Sequence, residues 1–245
     1  MNARTFAVPR DLADIAAALW TGEWDLRGQP PHDTELLSDP CVHLVLEDGD
    51  RWEARLVGVW TELWRRRLEG RGRVRGIKLR AGAVQAIVDR SAHTLRNRIV
   101  PLDELFDRVP DLRHLDDSAA FVAFAAWLRE LRRPDATGGS SLAVALVARL
   151  ADDPSITSVA RFAEVAGVGP RELQRIFRLH VGASPKWVLR RFRLQEVAFR
   201  IERGQAPSLA QLAVELGYTD QAHLARDFKA AVGQTPRAFG ATVRE

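Results

Sequence analysis

The C-terminal part of this chain contains one pattern of residues twice, and a duplicated pattern restricts the possible folds more than any single segment does. Four small residues recur at an offset of 50 positions: Ser158, Ala160, Ala163 and Gly167 match Ser208, Ala210, Ala213 and Gly217. After one inserted residue, five positions recur at an offset of 51: Leu173, Arg175, Phe177, Gly182 and Pro185 match Leu224, Arg226, Phe228, Gly233 and Pro236. The repeat predicts two copies of one supersecondary unit.

Each copy predicts a short helix, a turn led by glycine and a second helix. Ser158 and Ser208 are placed to cap the first helix, because a serine hydroxyl can accept a hydrogen bond from a free backbone N–H group there. Gly167 and Gly217 can adopt the left-handed conformation that ends a helix. The first helices of the two copies should therefore begin and end at equivalent positions.

The second helix of each copy has an apolar face and a polar face. Residues four apart form the apolar faces: Leu173 with Phe177, and Leu224 with Phe228. The opposite faces carry polar groups: Arg171, Gln174, Arg175 and Arg178 in the first copy, and Gln221, His223, Arg226 and Lys229 in the second. Arginine and glutamine bond guanine and adenine edges in the major groove. One such face alone is typical of a solvated bundle, but its duplication favours a tandem helix-turn-helix on double-stranded DNA.

The segment between the copies predicts a stiff helix that holds them apart. Pro185 stands at its start and Gly204 after its end, which gives about 18 residues or ~27 Å. This length is close to the ~34 Å of one DNA turn. Basic residues recur along this helix, and Lys186 and Arg190 are expected to contact phosphates. Arg193 fits either a phosphate contact or a buried ion-pair or packing role.

The rest of the chain predicts an α+β protein with three parts. Residues 1–102 predict a small antiparallel β sandwich or barrel, residues 103–140 a helical linker segment, and residues 141–245 an all-α domain. Alternating apolar residues and glycine turns indicate the strands, for example over 42–46 and 56–60. A short helix is expected over 82–89, and one of about 15 residues after Asp116. The Pro-, Gly- and Ser-rich stretch 134–141 predicts a flexible joint between domains.

The basic charge of the chain is concentrated in its C-terminal part. The whole chain has 36 basic and 32 acidic residues, whereas residues 141–245 have 15 and 10. Only three of the basic residues are lysine, which suits bidentate contacts to phosphate and guanine but also follows from arginine-favouring codons. No window approaches the ~18 uninterrupted apolar residues of a membrane span, and Asp11 and Asp14 argue against a signal peptide. We expect a cytoplasmic protein that does not enter a membrane.

The sequence offers no pattern for catalysis. Its six histidines are scattered, without the short His-x-His spacing that a metal site in a β barrel would need, so no metal, cofactor or enzyme activity is expected. The one cysteine, Cys41, excludes an intrachain disulfide. It could serve as a redox sensor or a methyl acceptor, but its apolar neighbours favour a buried small hydrophobe.

The tandem pattern resembles the AraC family of transcription regulators. LGYTDQAHLARDFKAAVGQTPRAF is similar to the family's second helix-turn-helix, AEVAGVGPRELQRIFRLHVGASPKWVLRRFRL is similar to its first, and the likeness covers about 142–241. The resemblance implies base-reading positions at Arg171, Gln174 and Arg175, and at Gln221, Ala222, Ala225 and Arg226. Gly169 replaces the usual serine cap. Ala222 and Ala225 can contact only a thymine methyl, so the second unit should read sequence less strictly.

The N-terminal part is similar to a cupin-like domain of unassigned function often found before this DNA-binding module. The segments Phe6–Trp24, RLVGVWTELWRRRLEGRGRVRGIKLRAGAVQAIV and RIVPLDELF carry the likeness. The resemblance implies that this part binds a small-molecule effector or forms a homodimer, and the regulator reading implies RNA polymerase as a further partner. Four tryptophans suit either a sheet core or a pocket for an apolar or cationic effector: Trp20, Trp24, Trp60 and Trp64.

These observations predict a sequence-specific DNA-binding transcription regulator of AraC type. Its two recognition helices would read adjacent segments of the major groove, and its N-terminal domain would sense an effector, dimerise, or do both. The alternative is a ligand-sensing or protein-interaction module whose helices dock on a protein partner.

Overall fold

The computed structural model describes residues 2–135, 138–206 and 208–242. Antiparallel sheets are followed by helices, which confirms the predicted α+β fold class. The strands are β1 Asn2–Phe6, β2 Ala16–Asp25, β3 His32–Leu36, β4 His43–Asp48, β5 Trp52–Val57, β6 Trp64–Leu68, β7 Arg71–Leu79 and β8 Ile99–Pro101. Six of them form one antiparallel sheet in the order β1-β2-β7-β4-β5-β8, and β3 pairs with β6 in a separate two-stranded sheet.

Strand β4 shows how the sheet acquires two different faces. Side chains alternate between the faces of a strand, so Leu44 and Leu46 point to one side and join the buried core. His43, Val45 and Glu47 point to the other side, where they line a cavity beneath the two-stranded sheet. The large sheet therefore separates a packed core from a cavity.

Two sequence expectations in this region are wrong, and close backbone approaches explain both. Strand β5 ends at Val57 rather than at Trp60, because Gly58 passes so near the Leu95 carbonyl that a side chain would collide with it. The expected helix over 82–89 is only a 3₁₀ turn at Val84–Ala86. It starts beside Gly82, whose φ of +101° is not helical and whose Cα lies so close to the backbone of Ala143 and Val144 that a side chain would collide with it.

The helices are α1 Asp117–Leu131, α2 Gly139–Asp152, α3 Val159–Ala166, α4 Pro170–Ile176, α5 Pro185–Glu202, α6 Leu209–Glu215, α7 Gln221–Val232 and α8 Pro236–Thr242. Helix α1 has the predicted length and start, since the Asp116 side chain accepts a hydrogen bond from the Ala119 N–H at 2.8 Å. Helix α2 crosses the predicted boundary at 140 and contains the last residues of the predicted joint. Ala136 and Thr137 of that joint lie outside the described residues.

One buried core joins the sheet to the first of the two repeated units. It combines Ile77 of β7 and Phe124 of α1 with Phe162 and Phe177 from α3 and the turn after α4. The second unit, α6 and α7, has a separate core around Phe228. Helix α5 spans both: Val188 and Leu189 belong to the shared core, and Leu194 and Val197 to the second.

The chain between α4 and α5 fixes the first unit against the N-terminal part. Phe177–Val181 form a π-helical turn that ends at Gly182, where φ is +86°. A Cβ at Gly182 would lie 2.8 Å from the Ala92 carbonyl oxygen. Ser91 also donates a hydrogen bond to the Arg178 carbonyl at 3.4 Å. Backbone from two distant parts of the chain therefore meets here without an intervening side chain.

We expect Gly182→Ala to destabilise the protein more than Gly167→Ala. Both glycines are left-handed, which costs alanine about 1–2 kcal/mol. A Cβ at Gly167 would meet nothing within 4 Å, whereas one at Gly182 would also push the Ala92 backbone away. Urea unfolding of the two variants measures the difference. Equal losses of unfolding free energy would mean that the contact with Ala92 contributes nothing.

Candidate functional site

The first helices of both repeated units are capped as the sequence predicts. Ser158 Oγ accepts from the Arg161 N–H at 3.1 Å, and Ser208 Oγ accepts from the Gln211 N–H at the same distance. Gly167 and Gly217 follow these helices with φ of +63° and +68°. We call α3 with α4 the first unit and α6 with α7 the second unit.

The second helices of the two units start differently. Asp220 caps α7 by accepting a hydrogen bond from the His223 N–H at 2.7 Å. Gly169 precedes α4 and offers no side-chain cap, while Pro170 supplies the preset backbone angle of a first helical residue. The apolar pairs behave alike, since Leu173, Phe177, Leu224 and Phe228 are all fully buried. The predicted apolar faces are therefore confirmed in both units.

Of the twelve residues predicted to contact DNA, ten are exposed to solvent: Arg171, Gln174, Arg175, Arg178, Lys186, Arg190, Gln221, Ala222, Arg226 and Lys229. His223 and Ala225 are half-buried. Five of the cations have no ion-pair partner among the residues that the structure describes: Arg171, Arg178, Lys186, Arg226 and Lys229. Their charge is available to an anionic partner.

Two acidic residues, which the sequence analysis did not identify, hold predicted DNA-contacting side chains in place. Glu172 pairs with Arg175 at 2.6 Å, and the hydrogen bond lowers the pKa of Glu172 and raises that of Arg175. Asp227 pairs with Arg190 at 2.7 Å and lies 3.8 Å from the His223 ring. The three-residue spacing of Glu172 and Arg175 indicates their pairing from sequence. The Asp227 contact joins α7 to α5 and has no such signal.

The structure decides the open question about Arg193. Its guanidinium donates to the Thr157 carbonyl and lies 5.7 Å from the Tyr218 ring centroid, and burial lowers its pKa. Arg200 is also engaged, since it pairs with both Glu196 and Glu215 at 2.6 Å. Arg193 therefore packs inside the protein, and the exposed basic residues Lys186 and Arg190 lie in the N-terminal part of α5.

Arg191 is a buried arginine that the sequence analysis did not single out. It is 4% exposed, and its guanidinium lies 4.8 Å from the Trp187 ring centroid. Burial lowers its pKa to about 10. The Trp187 indole also donates to the Thr61 carbonyl at 3.3 Å, which ties α5 to the loop before β6.

The four predicted pocket tryptophans, Trp20, Trp24, Trp60 and Trp64, all line one cavity of about 400 Å³. The cavity lies between the two sheets, with walls from β2, β4, β5 and β7 on one side and from β3 and β6 on the other. Trp60 and Trp64 meet edge to face with centroids 4.8 Å apart. These rings are brought together from separate strands and loops.

Two glycines of β7 make room for the tryptophans of β2. Trp20 pairs directly with Gly76 across the strands, and Trp24 pairs with Gly72. A Cβ on either glycine would collide with the indole opposite, so the rings lie against the bare backbone of β7. The Trp24 N–H donates to the Glu69 carbonyl at 2.9 Å, whereas the buried Trp20 N–H has no hydrogen-bond partner among the residues that the structure describes.

The polar groups of the cavity wall are mostly paired with one another. Glu47 accepts hydrogen bonds from both Arg55 and Arg66, and Arg55 also pairs with Glu53 at 2.6 Å. His43 lies beside Trp20 with ring centroids 6.0 Å apart, and burial lowers its pKa to about 4. Its imidazole is therefore neutral at physiological pH.

Cys41 also lines the cavity and is buried. Burial raises the pKa of its thiol to about 12, so the reactive thiolate is scarce at neutral pH. This environment matches the expected buried small hydrophobe.

One segment of the cavity wall also contacts the helical part of the protein. Leu37 lines the cavity and packs against the core of the second unit. Asp39 lines it too, pairs with Lys78 and accepts a hydrogen bond from Gln195 of α5. A Cβ on Gly233, at the end of α7, would lie 2.8 Å from the Glu35 carboxylate. Residues 34–39 thus separate the cavity from the second unit.

Within residues 2–135, 138–206 and 208–242, no helix combines the length and apolar character that crossing a membrane requires. The same ranges bring together no group of three or more His, Cys, Asp or Glu side chains suited to a metal ion.

Comparison with protein families identifies both parts of the chain. Residues 162–242 match the model of a helix-turn-helix domain, and residues 4–101 match DUF6597, a domain of unknown function. The first match contains nearly all of both repeated units. The second contains all but the first residues of the sheet region.

Curated relatives match about a third to two fifths of the chain. An uncharacterized HTH-type transcriptional regulator of Haemophilus influenzae is 33% identical over 102 residues, which are 42% of this chain and 34% of that protein. An AraC-like transcription regulator of Streptomyces antibioticus is 35% identical over 43% of this chain and 37% of its own. The XylDLEGF operon transcriptional activator of Pseudomonas putida is 28% identical over 32% of this chain and 25% of that protein. The chain spans little more than a third of these relatives at most.

Two solved structures have remote similarity. The C-terminal domain of AraT, a response regulator from Geobacillus stearothermophilus, is 24% identical over 40% of this chain and 84% of its own, with a TM-score of 0.35. ToxT from Vibrio cholerae O395 is 9% identical over 92% of this chain and 99% of the ToxT chain, with a TM-score of 0.48. The family models thus place a helix-turn-helix domain in the C-terminal part of the chain, where the sequence is similar to that of an AraC-like transcription regulator, and a DUF6597 domain before it.

Proposed function

We propose that this protein is a sequence-specific DNA-binding transcription regulator. The observation that carries the proposal is the pair of helix-turn-helix units whose second helices bury one face and expose arginine and glutamine on the other. Five cations on these helices, on the π-helical turn after α4 and on α5 lack an ion-pair partner among the described residues, which suits a phosphate backbone. Relatives of this domain are named as transcriptional regulators and activators.

The first unit is the stronger candidate for reading bases. Arg171 and Gln174 are both exposed on α4, and Arg171 lies at its start, where a recognition helix contacts base edges. Arginine can bond guanine O6 and N7 together, and glutamine can bond adenine N6 and N7. In the second unit Gln221 offers such a contact, but Ala222 and Ala225 offer only a methyl group. We infer that the second unit mainly positions the protein on the duplex.

The acidic residues Glu172 and Asp227 form ion pairs with two arginines, and a bound duplex would replace these carboxylates. Arg175 and Arg190 lie in exposed ion pairs, and such pairs contribute little stability in water. Exchange of a carboxylate for a phosphate or a base therefore has a small cost.

The N-terminal domain is proposed to sense an effector or to dimerise. Its cavity of about 400 Å³ is within the range of small-molecule sites, and residues 34–39 connect the cavity wall to the second unit. Contact with RNA polymerase and residence in the cytoplasm are consistent with a regulator of transcription and belong to the same proposal.

A duplex that the protein selects from a random-sequence pool serves as the specific site. We expect Arg175→Ala to weaken binding to this selected duplex by about 1–3 kcal/mol and to have little effect on binding to an unrelated duplex. Lys186→Ala should weaken binding to both duplexes equally and lower the slope of log affinity against log salt by about 1. Fluorescence anisotropy across a salt series measures both quantities. Arg27→Ala, which removes an exposed arginine from the N-terminal part, is the control.

The same salt series separates this proposal from a protein-docking role. A surface that binds phosphates gives a steep slope of log duplex affinity against log salt, because counterions bound to the DNA are released. A surface that docks on a protein does not give this salt dependence with a duplex. Absence of duplex binding by the full chain at low salt would refute the proposal.

Loss of the acidic partner of Arg175 should strengthen DNA binding. We expect Glu172→Gln to raise affinity for the selected duplex by about two- to five-fold, because Arg175 no longer has to leave an ion pair and one negative charge is removed. Glu164→Gln is the matched control, since Glu164 forms the equivalent pair with Arg161 on α3. An equal gain from both variants would show a general charge effect and would contradict the proposed role of Glu172.

A further inference from the structure

We infer that the cavity between the two sheets binds a flat, uncharged and largely apolar small molecule. The inference specifies the effector site of the regulator proposed above and rests on that proposal for its biological role. The sequence alone leaves an apolar and a cationic effector equally open. The arrangement of rings and charges in the wall distinguishes them.

The floor of the cavity is largely aromatic. Trp20 and Trp24 lie against Gly76 and Gly72, so their indoles replace the surface that side chains on β7 would otherwise provide. Trp60 and Trp64 add two further rings, and Val45, Val57 and Val74 fill much of the remaining wall. Aromatic rings of a ligand stack well on such surfaces, and burial of apolar area provides most of the binding energy.

The two carboxylates that line the cavity are already paired with other side chains. Glu47 is already bonded to two arginines, and Asp39 is bonded to Lys78 and Gln195. An anion would have to displace Glu47 from Arg55 or Arg66, and a cation would have to separate Glu47 from both. A charged ligand would otherwise be buried without a partner, which carries a large desolvation cost. The wall therefore disfavours ions of either sign.

The His43 ring is a hydrogen-bonding group in the cavity wall. It has no hydrogen-bond partner among the described residues and is neutral, so it can donate from one nitrogen and accept at the other. A single hydroxyl group on the ligand would bond to this ring. The neighbouring Trp20 N–H is covered by the backbone of Gly76, so Trp20 offers the ligand the surface of its ring.

Three planar probes share a naphthalene ring and differ in the charge of their polar group, and they test the inference: 2-naphthalenemethanol, 2-naphthoate and 2-naphthylmethylammonium. Calorimetry with the full chain, in the absence of DNA, should give saturable binding of one alcohol molecule. We expect the alcohol to bind about ten-fold or more tightly than either ion, because neither ion finds a free counter-charge. This comparison uses the unmodified protein and does not depend on the folding of any variant.

Matched tryptophan variants locate the site. Trp20→Phe removes part of the ring surface that lines the cavity, and should weaken binding of the alcohol by about five-fold or more. Trp52→Phe should change it by less than about two-fold, because Trp52 packs against the shared core and outside the cavity wall. Urea unfolding of both variants checks that each is folded.

Tighter binding of the carboxylate or of the ammonium ion, equal binding of all three probes, or no saturable binding would each overturn the inference. An equal effect of the two tryptophan variants would place the ligand elsewhere and would also overturn it. Duplex binding is measured without the probes, so failure of the DNA-binding proposal and failure of the cavity proposal give different results.

Discussion

The shared hydrophobic core is the interaction on which the rest of the structure depends. It combines the inner face of the six-stranded sheet with α1, α2 and the first unit. Since a close-packed interior does not deform gradually, the first unit is held in one orientation relative to the sheet. The second unit has its own core and is joined to the first through α5, which contributes residues to both. The tandem repeat in the sequence is therefore an unequal pair in the structure.

This inequality agrees with the different chemistry of the two second helices. The firmly held unit carries Arg171, Gln174 and Arg175, the groups best suited to base edges, on a helix that begins at Pro170. The more separate unit has the stronger cap at Asp220 but offers alanines at two of its proposed reading positions. Precise base contacts need a fixed scaffold, while contacts to phosphates tolerate small shifts of a helix.

Features that depend on neighbours in sequence were predictable, and features that depend on distant contacts were not. The caps at Ser158 and Ser208, the apolar pairs and the start of α1 at Asp116 follow from local rules, and the structure confirms them. The predicted strand over 56–60 and the predicted helix over 82–89 are wrong at Gly58 and Gly82, because the backbone that approaches these glycines comes from elsewhere in the chain. The pairing of Glu47 with Arg55 and Arg66 depends on strand register, which a single sequence does not contain. The four tryptophans were identifiable by type, but their common cavity required the fold.

Residues 34–39 have a consequence for the thermodynamics of the whole molecule. This short stretch is at once a boundary of the cavity and a support for the second unit. Any molecule that favours one position of the stretch would change how readily the second unit meets a duplex, and linkage requires the duplex to change the affinity for that molecule by the same factor. A titration in either direction would then yield the same coupling constant, and that reciprocity would arise from a stretch in which Leu37 contacts both the cavity and the core of the second unit.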